Sequence, residues 1–339
     1  MTFSGLLVIS ASNPVVGEST SERQWLSGHH LDHHLVGKIW SSRDKAFVSY
    51  KQLLSSLKTA RYVLLGETHP NKDHHLLQAQ FLDAMAKMSQ SPSFGAKPPV
   101  APRLVVEMIP QSYGPILNNF RQANPSETLE LGKTLKWQKR GWGAWENYKP
   151  IFDVAYRHKL AIFPGNLDRD DVRKIGRKGI KALDEQQQRQ LSLDVAYTKS
   201  QSELLADMLF DSHCKMVPKT ALSPMQLVQQ ARDGIMASGM LGTPLKETAN
   251  KTAAVLIAGS GHIRRDWAVP RILRAREPDS KIVTISFTEV TPEHKKPQDY
   301  EPASADRHPV YDYLYFTPKS EIKDYCAELI KRFKKHKTK

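Results

Sequence analysis

The chain has 339 residues, with 49 Lys and Arg against 35 Asp and Glu, giving a formal charge of +14. That length can bury a large core in one elaborated domain or two smaller ones, and the basic balance points to an anionic partner: nucleic acid, a membrane surface or an acidic ligand. Two cysteines exclude a disulfide framework and a Cys-rich metal site while leaving open a single Cys214 to Cys326 bridge, and no apolar run reaches the ~20 residues that span a bilayer.

In chain order, residues 1–28 read as disordered or as a weak export signal. Phe3 to Ile9 is apolar and small residues follow at Ser10-Ala11-Ser12, but there is no basic start and no following cysteine to carry a lipid. An exported, periplasmic or membrane-associated location is expected on this ground, with a cytoplasmic one left open. The tract His29-His30-Leu31-Asp32-His33-His34 can bind metal or haem adventitiously and reads as an exposed segment. It opens the main domain, placed at 29–318. A helix over Lys51 to Thr59 leads into an apolar strand, Arg61 to Leu65, which ends at Gly66-Glu67-Thr68-His69. The next helix has a core face of Leu77, Phe81, Met85 and Met88. Asn71, His74 or His75, and Gln78 share another face, near the end of that strand.

Ser91 to Pro102 is a loop by composition. Strand Arg103 to Val106 stops at Glu107. A short helix over Tyr113 to Phe120 precedes the aromatic segment Trp137 to Tyr148, whose rings suit core or pocket wall. Strand Leu160 to Phe163 stops at Pro164-Gly165-Asn166. Asp168 to Gln190 reads as an exposed charged helix. Pro224 to Met240 reads as a helix of mixed faces carrying Gln226, Gln229, Asp233 and Met236. Together these form a helical insertion at 170–245. The alternation resumes with strand Ala253 to Ala258, ending at Gly259-Ser260-Gly261-His262. Then come a helix from Trp267 to Arg276, a strand from Lys281 to Ser286, and a strand from Tyr311 to Phe316. A basic terminal helix at 319–339, starting near Ser320, is expected to bury Ile322, Tyr325, Leu329, Ile330 and Phe333.

No internal repeat is evident. This alternation predicts an α/β fold: a mainly parallel sheet flanked by helices, with a helical insertion over the strand C-terminal rim. Ligands of such sheets bind beyond the carboxyl ends of the strands. Four runs end there in polar residues, delivering Glu67, His69, Glu107, Asn166 and His262 to one rim. Carboxylate and imidazole together suit a metal or proton transfer. Singly, each case is explained by glycines that end strands and short polar residues that cap helices. The set of four points to a site. No zinc-finger spacing or RNA-recognition signature accompanies the basic charge, so nucleic acid is not an expected partner.

From His33 to Pro318 the chain resembles the ChaN-like haem-binding proteins of the wider Tiki and erythromycin-esterase superfamily. The motifs are Leu35-Val-Gly-Lys-Ile-Trp40, Leu64-Leu-Gly-Glu-Thr-His69, Val106-Glu107-Met108, Trp145 to Tyr148 with Pro150, Asn166, Gln229 with Arg232-Asp233, and Ala258-Gly-Ser-Gly-His-Ile-Arg-Arg265. Pro70 stands where the family usually carries Asp, so no role for that carboxylate carries over. The resemblance implies an α/β fold and haem bound between two subunits of a homodimer. It also implies a tyrosine iron ligand, and membrane-associated haem-uptake components as partners in iron supply. Within it, Tyr148 is the candidate ligand, partnered by His74 or His75, and Asn71, Gln78, Asn166 and Trp145 complete the cofactor-binding set. Hydrolases of the same superfamily imply an alternative. In these a divalent metal on His69, His262, Glu67 and Glu107 activates water, and Arg264 or Arg265 holds an anionic substrate.

Overall fold

The computed structural model describes residues 23–90, 101–123, 128–242 and 252–337. The expected export signal and most of the 91–102 loop lie outside these residues. The elements run β1 (Ile39–Ser41), β2 (Ala46–Val48), α1 (Tyr50–Leu57), β3 (Tyr62–Glu67), α2 (Lys72–Gln90), β4 (Arg103–Pro110), α3 (Gly114–Gln122), α4 (Leu129–Thr134), α5 (Trp145–Arg157) and β5 (Ile162–Asn166). The helices α6 (Arg169–Lys178), α7 (Glu185–Gln190), α8 (Lys199–Ser212) and α9 (Lys219–Leu241) follow. The chain then closes with β6 (Ala254–Gly259), α10 (Val269–Arg276), β7 (Ile282–Glu289), β8 (Tyr313–Thr317) and α11 (Tyr325–Lys337).

The strands form one sheet in the order β2-β1-β8-β7-β3-β6-β4-β5. The pairings from β8 through β5 are parallel, and β1 joins antiparallel to β8 and β2. Helices cover both faces, which is why the central strands are continuously apolar. Along β3, Val63 and Leu65 enter the core shared with Leu57, Phe81 and Phe152. Tyr62 and Leu64 enter the opposite core, with Met236, Met240 and Ile272. Pro164, which has no amide to donate, sits in β5 at the sheet edge, where proline is tolerated.

Several expectations change. The charged stretch after Asp168 is two helices, α6 and α7, separated by a 3-10 turn at Gly179–Ala182, and Asp184 starts α7 with a capping box. Helix α8 was absent from the sequence reading, although Thr198 and Gln201 carry the capping-box spacing that starts it. The first tetrad belongs partly to its strand, since β3 runs through Glu67. Residues 23–28 form no helix or strand but are anchored, with the Leu26 and Ser27 amides donating to Asp73 at 2.9 and 2.8 Å. The terminal helix begins at Tyr325 and does not bury the expected face: Ile322 and Tyr325 are 68% and 53% exposed, and Ile330 is also exposed. Its tether is covalent, a disulfide from Cys326 to Cys214 at the end of α8, which replaces packing against the sheet. The Phe333 side chain lies outside the described residues.

Candidate functional site

β3, β6 and β4 lie side by side, with Glu67 paired to Gly259 and Val106 to Ile257. Their carboxyl ends therefore bring Glu67, Glu107 and both tetrads to one point. β4 continues past Val106, and its register with β5 shifts between Val106 and Pro110, the kind of irregularity that re-aims a side chain. Glu107 there accepts the Gly259 amide at 2.7 Å through Oε2. The two tetrads make room for one another. A Cβ on Gly66 would come within 2.5 Å of Ile263, and one on Gly259 within 3.0 Å of His69 Nε2. A side chain at either position would force Ile263 or His69 to shift.

The result is a continuous chain of acids and imidazoles. Asp233 on α9 meets His262 Nδ1 at 2.6 Å. His262 Nε2 lies 3.4 Å from Glu107 Oε1, and Glu107 Oε2 lies 3.9 Å from His69 Nε2. His69 Nδ1 lies 2.7 Å from Glu67 Oε1, and Glu67 Oε2 lies 3.5 Å from His75 Nε2. Tyr148 donates its hydroxyl to Glu67 Oε1 at 2.8 Å, and its ring lies 3.8 Å from that of His75. All of these side chains are buried except His69, which is 35% exposed and packs edge-on against Trp142.

Burial opposes the charges here, and the neighbours overrule it. Burial alone would raise Glu67, but His75 and His69 hold it well below the usual carboxylate range. Glu107 is likewise drawn down to about 2, chiefly by His262. Burial disfavours a charged His262, yet Glu107 and Asp233 together raise it to about 10. Asp233 goes the other way, because its burial outweighs the His262 hydrogen bond. The arrangement is a cationic His262 between two carboxylates, with Asp233 the weaker acid. Because Glu67 can only accept, His69 carries a proton on Nδ1, and its Nε2 lies on the Glu107 side. His69 is the member of this network most open to solvent.

The structure brings together Glu67, His69, Glu107 and His262, with Tyr148 and His75 against Glu67, while the remaining candidates make other contacts. Tyr148 is fully buried, and burial followed by the Glu67 charge pushes its hydroxyl far above the ordinary tyrosine range. In this structure the Tyr148 hydroxyl is committed to Glu67, to which it donates. His74 accepts the Thr68 amide on Nδ1 and meets the Thr317 hydroxyl through Nε2. Burial lowers it to about 3, leaving it neutral. Asn71 donates to Glu289 and to the Pro318 carbonyl, and Gln78 to the Leu65 carbonyl, so all three join α2 to the sheet and the chain beyond β8. Trp145 stacks in the core with Trp137 and Phe152. Asn166 accepts the Leu167 amide and shapes the turn after β5. Arg264 is paired with Asp266 and with the Ala303 carbonyl, and Arg265 with Asp312.

The divalent-metal expectation does not fit this donor set. His262 faces a carboxylate through each nitrogen and His69 faces Glu67 through Nδ1. Among the described residues, no three His, Cys, Asp or Glu side chains form a group able to hold a metal. Two participants had escaped the site prediction: Asp233 and Gln229, whose amide lies 3.1 Å from His262 Nδ1. Their i, i+4 spacing on α9 was the available signal.

The sequence matches the family described as haem-binding uptake, Tiki superfamily, ChaN, over residues 53–273, well over half of the chain. A solved structure of ChaN of Campylobacter jejuni with cofacial haem bound is similar at 21% identity and a TM-score of 0.63, covering 82% of this chain and 95% of that one. The type III effector HopBA1 aligns at 14% identity and a TM-score of 0.40, over 79% and 92% of the two chains. A mutant erythromycin esterase, EreC, aligns at 11% identity and a TM-score of 0.35, over 73% and 77%. No curated protein sequence matches. The match to the family's pattern, carried on the α/β fold described above, means that the chain belongs to the ChaN haem-binding uptake family of the Tiki superfamily.

Proposed function

We propose that the protein binds haem in the service of haem or iron uptake, and that the haem sits against the helical insertion. The observation that carries this is a groove of about 450 Å³ between α6, α8 and α9. Its walls include Val172, Leu209, Met225 and Val228, and it also presents one imidazole, His213, and one guanidinium, Arg232. Apolar walls with a few converging polar groups are what an amphipathic porphyrin requires, and the volume lies within the range of ligand pockets. Arg232 Nε is buried without a hydrogen-bond partner. A larger cavity of about 610 Å³ between α6, α7 and α9 is less suited. It presents carboxylate, amide and ammonium groups but no imidazole, thiol, thioether or phenol that could ligate iron.

When bound, haem supplies the iron. The chain supplies the walls, a base for the metal and cations for the propionates. The Cys214–Cys326 bridge supports an exported or periplasmic location, because such bonds persist in oxidising compartments. A second copy of the chain and membrane-associated uptake components are the partners of this proposal. The metal-dependent hydrolase reading has less support, since the rim donors are already paired with one another.

Hemin titration tests the reading, using protein in which His29, His30, His33 and His34 are replaced by alanine to remove the adventitious tract. A red-shifted Soret band saturating at a fixed ratio per chain is expected. A spectrum that stays that of free hemin, or binding abolished with the tract, rejects it.

A further inference from the structure

We propose that α11 and the segment leading into it form a docking surface for an anionic lipid membrane. The inference goes beyond the haem reading and does not depend on it. By sequence the last two turns of α11, Lys331 to Lys337, carry Lys331, Arg332, Lys334, Lys335 and Lys337 and no acid. Before them, Tyr325, Leu329 and Ile330 recur at the i, i+4, i+5 spacing of one apolar stripe. Cations beside such a stripe are the pattern of helices that lie in the plane of a bilayer interface. Their Lys and Arg meet anionic headgroups, and the apolar stripe enters the acyl boundary. No helix among the described residues is long and apolar enough to cross a membrane, so the contact is with its surface.

The apolar side is left exposed by the fold. Nine large hydrophobic side chains are exposed among the described residues, and four of them, Met216, Ile322, Tyr325 and Ile330, lie on the two segments that the Cys214–Cys326 bridge joins. Exposed apolar residues gathered in this way mark an interaction surface, where scattered ones would not. The bridge holds the first turn of α11 to the end of α8, with the two Cα atoms 5.5 Å apart. A helix formed and tethered beforehand gives up less conformational freedom on docking than a free segment. α6 borders the same end of α8, since Val172 and Gly176 line one groove with Leu209 and His213. Its Arg173, Lys174, Arg177 and Lys178 line a hollow together with Asp170, which adds cations near the bridge. The mixture of groups selects lipid over nucleic acid: a phosphodiester chain would pair the cations but offer the isoleucines no apolar phase.

The experiment measures co-sedimentation of the full chain with vesicles of phosphatidylcholine alone and of phosphatidylcholine mixed equally with phosphatidylglycerol. Binding to the mixed vesicles only, released by added salt, is expected. Lys331→Gln, Lys334→Gln and Lys335→Gln together should weaken it roughly a hundredfold, at about fivefold for each cation near the surface. Ile322→Ser with Ile330→Ser, which keeps the charge, should weaken it at least about tenfold. Because both isoleucines are exposed, that variant should keep the urea midpoint of the unaltered chain. Absence of binding to the mixed vesicles overturns the inference, as does full binding by the isoleucine variant or a fall in its midpoint, which would mean that these side chains pack within the fold. Binding of DNA in place of vesicles, lost in the lysine variant and kept in the isoleucine variant, would overturn it in favour of nucleic acid. Hemin titration of the same protein reads the haem proposal separately, so either can fail alone.

Discussion

Replacing His262 by Gln keeps most of the side-chain volume and one donor but removes the positive charge between Glu107 and Asp233. Glu107 falls from 4.5 to about 2 in the folded chain, with His262 the main cause of the lowering. At 1.36 kcal/mol per unit, that depression corresponds to about 3 kcal/mol. The cost agrees with the lower end of the ~3–5 kcal/mol measured when one partner of a buried ion pair is removed. The pH dependence is the sharper test. The Glu107 contribution is fully present above pH 4.5 and is lost as pH falls toward 2. His262 is raised from 6.5 to about 10, so its contribution is full below pH 6.5 and is lost as pH rises through 10. Along that alkaline limb a single group changes stability by about 1.4 kcal/mol per pH unit. The difference in unfolding free energy between wild type and His262→Gln should therefore be greatest between pH 4.5 and 6.5 and should shrink steadily above that window. Urea denaturation followed by tryptophan fluorescence from pH 4 to 10 measures it, since Trp137, Trp145 and Trp267 are buried. A difference that is constant with pH, or below about 1 kcal/mol at pH 6, would refute a cationic His262 held between two carboxylates.

Three further outcomes follow from the geometry. Tyr148→Phe removes a hydrogen bond to the ionised Glu67 and should cost about 1.5–3 kcal/mol by chemical denaturation while leaving the hemin spectrum unchanged; altered ligand-to-metal bands would return Tyr148 to the iron. Gly234→Ala places a Cβ 1.9 Å from the Leu191 carbonyl oxygen, which is backbone and cannot swing aside. It should cost upwards of about 1–3 kcal/mol, and an unchanged unfolding midpoint would contradict the packing of α9 against that turn. Reducing the Cys214–Cys326 bridge, whose ends are 112 residues apart, should lower stability by about 5 kcal/mol in the chain-entropy description. Identical urea midpoints with and without reductant, once thiol titration confirms reduction, would contradict that.

The central strands and the convergence of the two tetrads were legible because they depend on local signals: apolar runs fit a sheet covered on both sides, and glycine ends them. What was not legible was depth and neighbour. Asn71, His74 and Gln78 share a helix face, as their spacing says, but spacing does not state what that face meets. It meets the chain beyond β8 and the backbone of β3, so these polar groups are consumed as structural hydrogen bonds. The contact of Tyr148 was not legible for the same reason, since an aromatic motif does not reveal whether its hydroxyl faces solvent or a buried carboxylate. The terminal helix misled through its amphipathic pattern, where a disulfide substitutes for burial.

The buried network remains to be reconciled with a haem-binding role, and energetics indicate how. Ion pairs of this depth are often matched or exceeded in stability by well-packed apolar side chains, so stability alone does not account for three carboxylates and three imidazoles at the rim. Such pairs do specify register, because each charge tolerates only its partner. Asp233 fixes α9 over His262, and one helical turn earlier on α9 Gln229 both approaches His262 and lines the groove beside Arg232. The network therefore sets where one wall of the groove stands relative to the sheet. On the haem reading proposed above, the tetrads act by locking α9 in place, while His69 remains the member of the network open to solvent.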